Sequence, residues 1–278
     1  MHKKIAAGMG FKPFALLCLA LVTLMQVVAA DAREFGDGFR FVQITDTHLG
    51  QSGNLESLAR VVERINGLAT PVACVVHTGD VFEDGILDSE VREEGLSILE
   101  RLDPPLYVVP GNHDIRPGKL KRSRRVWTDA FSGLTYTKQV SGVRFLLNYT
   151  WPLAESFHMP GYDSLARLRS ELEEAGDRPV IVAHHAPCLP ELIDGALCGG
   201  WSKSKRREWI RLLSRHNVVA VLAGHFHRAE LHWLGEVPLF VAPAVASSSG
   251  KSAIRVYNYQ DGNLSYRTIR ISDSGSAD

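Results

Sequence analysis

Five short apolar runs in this sequence each end in side chains that can bind a cation or move a proton. "FVQITDTHLG" ends in Asp46 and His48. "VVHTGDVFED" ends in Gly79 and Asp80. "YVVPGNHDIR" ends in Asn112, His113, Asp114 and Arg116. "VIVAHHAP" ends in His184 and His185, and "VLAGHFH" in His225 and His227. Taken singly, each has a plain reading: Asp46 caps a turn, Gly79-Asp80 forms one, and a lone His is a hydrogen-bonded core residue. Together they bring carboxylates, an amide and several imidazoles to the carboxyl ends of strands, where α/β sheets gather their sites. That mixture of nitrogen and oxygen donors suits zinc, manganese or iron better than calcium or magnesium. Asp-x-His and His-x-His also put both side chains on one side of an extended segment, because side chains alternate with period two.

The elements between these runs alternate. Strand-like segments exchange with helical spacing at Leu55–Leu68, Val91–Leu102, Tyr162–Ala175 and Lys203–His216. This predicts α/β layers with parallel strands. "YTKQVSGVRFLLNYT" predicts a hairpin turning at Ser141-Gly142. The stretch from "AELHWL" to "SYRTIRI" predicts short successive strands with turns at Gly235, Gly250 and Asp261-Gly262. "KLKRSRRVWTDAF" predicts a basic helix. It is read either as a solvated face or as a rim that attracts anionic substrate. No repeat or linker divides the chain, so residues 33–278 are expected to form one domain.

The ordered set resembles the calcineurin-like metallophosphoesterase superfamily, whose pattern is D-x-H, G-D, G-N-H-D or -E, H and G-H-x-H. The resemblance spans about Phe39 to Ala246. It implies a four-layer α/β/β/α sandwich of the metallo-dependent phosphatase type. It implies two divalent or trivalent ions (Mn, Fe or Zn), one held by Asp46, His48 and His227, the other by Asn112, His184 and His225, with Asp80 bridging. His113 becomes the residue near the leaving group. The family's H-H-P-P form points to the first histidine as ligand, although Ala186 replaces the first proline here; His185 is then expected to face substrate or the core. Arg116 is read either as a bidentate contact to substrate phosphate or as a surface arginine. Purple acid phosphatases carry a metal-binding tyrosine where this chain has Glu83. G-N-H-D-x-R, Gly111 to Arg116, resembles the class III cyclic-nucleotide phosphodiesterase branch.

Two metals can share a hydroxide near neutral pH and clamp phosphate oxygens during in-line attack. The expected activity is phosphodiester hydrolysis of a small-molecule substrate. The alternatives are a phosphomonoesterase acting on nucleotides or other small phosphates, and a non-catalytic metal-binding protein. Asp114 is expected to orient a histidine or to serve a turn.

Bulk properties narrow the setting. The 278 residues carry a formal net charge of +0, which gives no support to nucleic-acid binding. Lys3, Lys4 and Lys12 precede an apolar run, Phe14 to Ala30, and small residues follow at Ala30-Asp31-Ala32. This reads as a signal peptide over residues 1–32, hence a periplasmic or secreted enzyme with no stable membrane insertion after cleavage. The alternative is a retained anchor. In an oxidising compartment Cys188 and Cys198 are expected to close a loop disulfide, with two free thiols as the alternative. Cys74 reads as an inert core thiol. Oligomeric state has no sequence signal here.

Overall fold

The structure, a computed structural model, describes residues 38–155, 157–193, 196–246 and 252–271. The side chains of residues 192, 193 and 196–198 are not among those described, and the expected signal segment, residues 1–32, lies outside the described residues.

Two sheets carry the fold. The first has the order β13-β12-β1-β2-β3, built from β1 (Gly38–Ile44), β2 (Cys74–His77), β3 (Leu106–Val108), β12 (Ala253–Gln260) and β13 (Asn263–Arg270). The second has the order β10-β11-β9-β6-β5-β4. It is built from β4 (Thr135–Val140), β5 (Val143–Asn148), β6 (Val180–Ala183), β9 (Val218–Ala223), β10 (Glu230–Leu234) and β11 (Val237–Val241). β1, β2 and β3 run parallel, as do β5, β6, β9 and β11. The parallel core expected from the sequence is therefore present, with antiparallel strands at its margins. The Ser141-Gly142 and Asp261-Gly262 hairpins also form as read; Gly250 lies outside the described residues.

The period-two alternation of each strand explains the layering. Phe39 and Phe41 of β1, Phe145 and Leu147 of β5, Ile181 and Ala183 of β6, and Ala220 and Leu222 of β9 share one buried cluster between the sheets. Their neighbours point outward. Val42, Ile44 and Val75 pack on Val61 and Ile65 of helix α1 (Asn54–Asn66). Val180, Val182 and Val221 pack on Leu168 and Leu172 of α5 (Ser164–Ala175) and on Trp209 and Leu213 of α6 (Lys203–Ser214). Each fully buried Val, Leu or Phe in these layers contributes about 1.5–3 kcal/mol. The result is the four-layer α/β/β/α sandwich.

Three further α-helices lie among the described residues: α2 (Ser89–Leu99), α3 (Leu120–Ala130) and α4 (Trp151–Ala154). Local chemistry sets where the longer ones begin. Asp88, Asp163 and Ser202 each accept a backbone N–H from the first turn of α2, α5 and α6. The loop between Cys188 and Cys198 holds a small hairpin, β7 (Glu191–Ile193) with β8 (Ala196–Cys198), where no strand was expected. Cys188 is a free, fully buried thiol, held up at about 11 by burial. It packs in the outer cluster with Trp209 instead of forming the expected bridge; the Cys198 side chain lies outside the described residues. Cys74 is likewise free and buried, as read from the sequence.

Candidate metal centre

All five strand-end segments converge. The first sheet delivers Asp46, His48, Asp80, Asn112 and His113 from the loops after β1, β2 and β3. The second delivers His185, His225 and His227 from the loops after β6 and β9. Asp46 Oδ1 lies 3.3 Å from His227 Nε2 and 3.8 Å from His48 Nε2. Asp80 Oδ2 lies 3.0 Å from His185 Nε2 and 3.9 Å from His48 Nε2. His185 Nε2 is also 3.1 Å from Asn112 Oδ1 and 3.2 Å from His225 Nδ1. Two ligand groups result, Asp46–His48–His227 and Asp80–His185–His225, and a third, His48–Asp80–His113, spans the space between them.

The backbone that achieves this is strained. Among the described residues, Asp46, His48, Asp80, His225 and His227 all adopt left-handed φ, between 44° and 73°. Such conformations cost of order 1–3 kcal/mol each and persist where surroundings over-determine them. Here the carboxylates help to fix the loops. Asp46 Oδ2 accepts the His225 N–H at 3.0 Å, and Asp80 Oδ1 accepts the His113 N–H at 2.9 Å. The two motif glycines make this approach possible: a Cβ on Gly111 would lie 2.1 Å from Asp80 Oδ1, and one on Gly224 would lie 2.6 Å from Asp46 Oδ2.

The sequence reading needs one correction. His184 is not in the site. Its ring packs edge-on against Trp209 and Trp201, at 5.1 and 5.8 Å between centroids, and its Nδ1 is 3.2 Å from Thr150 Oγ1. His185 occupies the position assigned to His184. The cause is the strand's parity: Val180 and Val182 of β6 face the helices, Ile181 and Ala183 face the other sheet, and the alternation continues through His184 and His185. Burial, followed by the charge on His185, pushes His184 down to about 3, so it is a neutral core residue.

His113 and Arg116 sit at the rim. His113 Nδ1 is 2.9 Å from Asp84 Oδ1 and 3.4 Å from Glu83 Oε1, while Arg116 Nη1 donates to the same Asp84 oxygen at 2.6 Å. Arg116 therefore braces Asp84, which holds His113. Asp114 accepts N–H groups from Val81, Phe82 and Gly111, so it clamps two site loops and does not orient a histidine. Three supporting residues were missed from the sequence. Thr78 O accepts from His185 Nδ1 at 2.8 Å, Glu83 pairs with His48 Nδ1, and His77 spans Thr47 and Gly79. Glu83, three residues after Asp80 in a strand-end loop, was the one with a visible signal.

The donor set fits a cation. With its Nδ1–H given to Thr78, His185 turns a bare Nε2 lone pair toward Asp80 Oδ2 and Asn112 Oδ1. Three acceptors facing one another at about hydrogen-bond distance need positive charge between them. Without a metal that charge is a proton. Burial alone would lower His185, yet Asp80 and Asp46 outweigh it and hold it up at about 9. His48 is held at about 9 against burial by Asp46, Asp80 and Glu83. Burial likewise works to raise Asp46, but hydrogen bonds to His227 and His48 keep it well below the usual carboxylate range. Burial and the His185 charge push His225 down to about 4, the neutral state in which imidazole binds metal.

The chain is similar to known phosphoesterases. The calcineurin-like phosphoesterase family model matches residues 39–229. A 3′,5′-cyclic adenosine monophosphate phosphodiesterase of Pseudomonas aeruginosa is 29% identical, covering 84% of this chain and 86% of that protein. A probable glycerophosphodiester phosphodiesterase of Arcobacter nitrofigilis is 25% identical, covering 67% of this chain and 71% of that one. Among solved structures, a dimetal phosphatase of Danio rerio superposes with a TM-score of 0.56 at 16% identity, over 84% of this chain and 99% of that one, a likeness of fold. The chain belongs to the calcineurin-like phosphoesterase family, and it is a metal-dependent hydrolase of phosphoric esters.

Proposed function

We propose that this chain is an exported phosphodiesterase working with two ions of the manganese, iron or zinc type. The observation that carries the reading is the pair of ligand groups meeting at Asp80 and His48, with His113 beside them. Asp46, His48 and His227 would hold one ion, Asn112, His185 and His225 the other, and Asp80 would lie between. When bound, the ions supply hydroxide near neutral pH and positive charge for the phosphoryl oxygens. The protein's own part is positioning. Thr78 and Glu83 fix the rings of His185 and His48. Asp84 takes His113 Nδ1, which leaves Nε2 to protonate a leaving oxygen. Arg116 is tied to Asp84 and so adds no free cation for the second negative charge of a monoester. The relatives named as diesterases support the same choice.

The test compares bis-p-nitrophenyl phosphate with p-nitrophenyl phosphate, after chelation and after manganese is restored. Metal-dependent preference for the diester is expected. Preference for the monoester would replace the reading with a phosphatase. Turnover of neither by the metal-loaded protein would leave a metal-binding protein without catalysis. Export rests on the basic start and the apolar run Phe14–Ala30, and N-terminal sequencing of the protein from a periplasmic fraction tests it: an intact Met1 there argues against cleavage.

A further inference from the structure

A cavity of about 190 Å³ opens directly beside His225. Trp151, Phe226, Pro187 and Leu189 form apolar and aromatic wall, and Glu155 and Glu191 are its titratable groups besides His225. Among the described residues no lysine or arginine lines it. Glu191 accepts from Arg228 at 2.8 Å, and Arg228 is shared with Glu230 and stacks on Phe226. Glu155 has no ion-pair partner among the described residues. The cavity is smaller than the roughly 300–1,000 Å³ of a whole small-molecule site, so it takes one substituent of a substrate.

Its place along the site says which substituent. Ring centroids step from His113 to His48 (5.2 Å) and from His48 to His227 (5.0 Å) at one end, and from His185 to His225 (5.0 Å) and His225 to Trp151 (5.7 Å) at the other. The leaving group belongs beside His113, so the cavity receives the substituent that stays on phosphorus. Two lining carboxylates, one of them paired with Arg228, disfavour a second phosphate. The aromatic lining of Trp151 and Phe226, with the exposed carboxylate of Glu155 at its edge, instead suits an alkylammonium group, by aromatic contact and by charge.

We propose that the cavity between Trp151, Phe226 and Glu155 is a subsite for the alkylammonium ester group of a phosphodiester. The proposal rests on the phosphodiesterase reading. In the reaction, water oxygen bonds to phosphorus, the P–O bond to the leaving alcohol breaks, that alcohol takes up a proton and the phosphorylated amino alcohol remains.

The test uses two diesters with one leaving group: p-nitrophenyl phosphorylcholine and p-nitrophenyl 3,3-dimethylbutyl phosphate, its uncharged carbon isostere. The metal-loaded enzyme is expected to favour the charged diester in kcat/KM by roughly tenfold, the scale of one desolvated cation–π contact. Glu155→Gln and Trp151→Leu should each bring that ratio toward unity. Titration calorimetry with phosphocholine and with 3,3-dimethylbutyl phosphate should give the same order of affinities. Equal handling of the isosteres, while bis-p-nitrophenyl phosphate is hydrolysed, overturns the subsite and leaves the phosphodiesterase reading standing. If no diester is hydrolysed, that reading fails, and the calorimetric ratio alone decides the subsite: tighter phosphocholine binding supports it and equal binding removes it.

Discussion

His184 and His185 differ by one position and have separate roles. His185 faces two carboxylates and an amide; His184 fills a slot between two tryptophans. Replacing His185 with alanine removes a donor from the centre. It is expected to lower metal affinity by more than the roughly 10–100-fold that loss of a mere orienting partner costs. His184→Ala should act on stability instead, by about 2–4 kcal/mol, as for other large buried side chains, with bound metal retained. Metal content and denaturant unfolding of the two variants separate the roles, and an exchange of the two phenotypes would reverse the assignment. The sequence contained the answer. Ile181, Ala183 and His185 share a parity that points between the sheets, and counting from the apolar residues finds the ligand where motif likeness picks its neighbour. Thr78 had no such signal, because it acts through a backbone carbonyl that any residue has.

At the scale of elements, the site consists of strand-end loops held against one another. Asp114 ties the loop after β2 to the loop after β3 through three backbone N–H groups. Asp114→Ala leaves these donors buried without a partner and should cost about 3 kcal/mol or more, since each unsatisfied group carries roughly 1–3. Metal affinity should fall with it, because Asp80 and Asn112 flank the clamp; unchanged stability by chemical denaturation would remove Asp114 from this role. Gly224 is the counterpart on the second sheet. A Cβ there would lie 2.0 Å from Thr45 Oγ1 and 2.6 Å from Asp46 Oδ2, so Gly224→Ala should displace Asp46 and weaken metal binding even if the fold persists. Metal titration of the folded variant checks this, and wild-type affinity would refute it. The long elements and the strand-end pattern were legible because periodicity repeats over many residues. The β7–β8 hairpin was not, since three-residue strands carry too little period to detect.

Across the whole molecule, the centre joins the two sheets. Both carboxylates, Asp46 and Asp80, come from the first sheet together with His48 and Asn112, and the imidazoles of His185, His225 and His227 come from the second. Metal held by this set would cross-link the sheets, and free metal at 1,000 times its Kd should add about 4.1 kcal/mol per occupied site to stability. In the chelated protein, protons carry part of that role. His48 and His185 are raised from 6.5 to about 9 in the fold, so the stability they contribute is complete below about pH 6.5 and is lost as pH rises toward about 9. His77 and His225 are lowered, to about 3 and about 4, mainly by burial. They stay neutral in the fold while the unfolded chain takes up protons, so stability also declines below about pH 6.5. The chelated protein should thus be most stable near pH 6.5 and weaken toward pH 9. The metal-loaded protein should hold its stability over that upper range, because the ions replace the protons. Denaturant unfolding at the two pH values, with chelator and with manganese, measures both limbs. A chelated protein that gains stability between pH 6.5 and 9 would show that the imidazoles do not balance the two buried carboxylates.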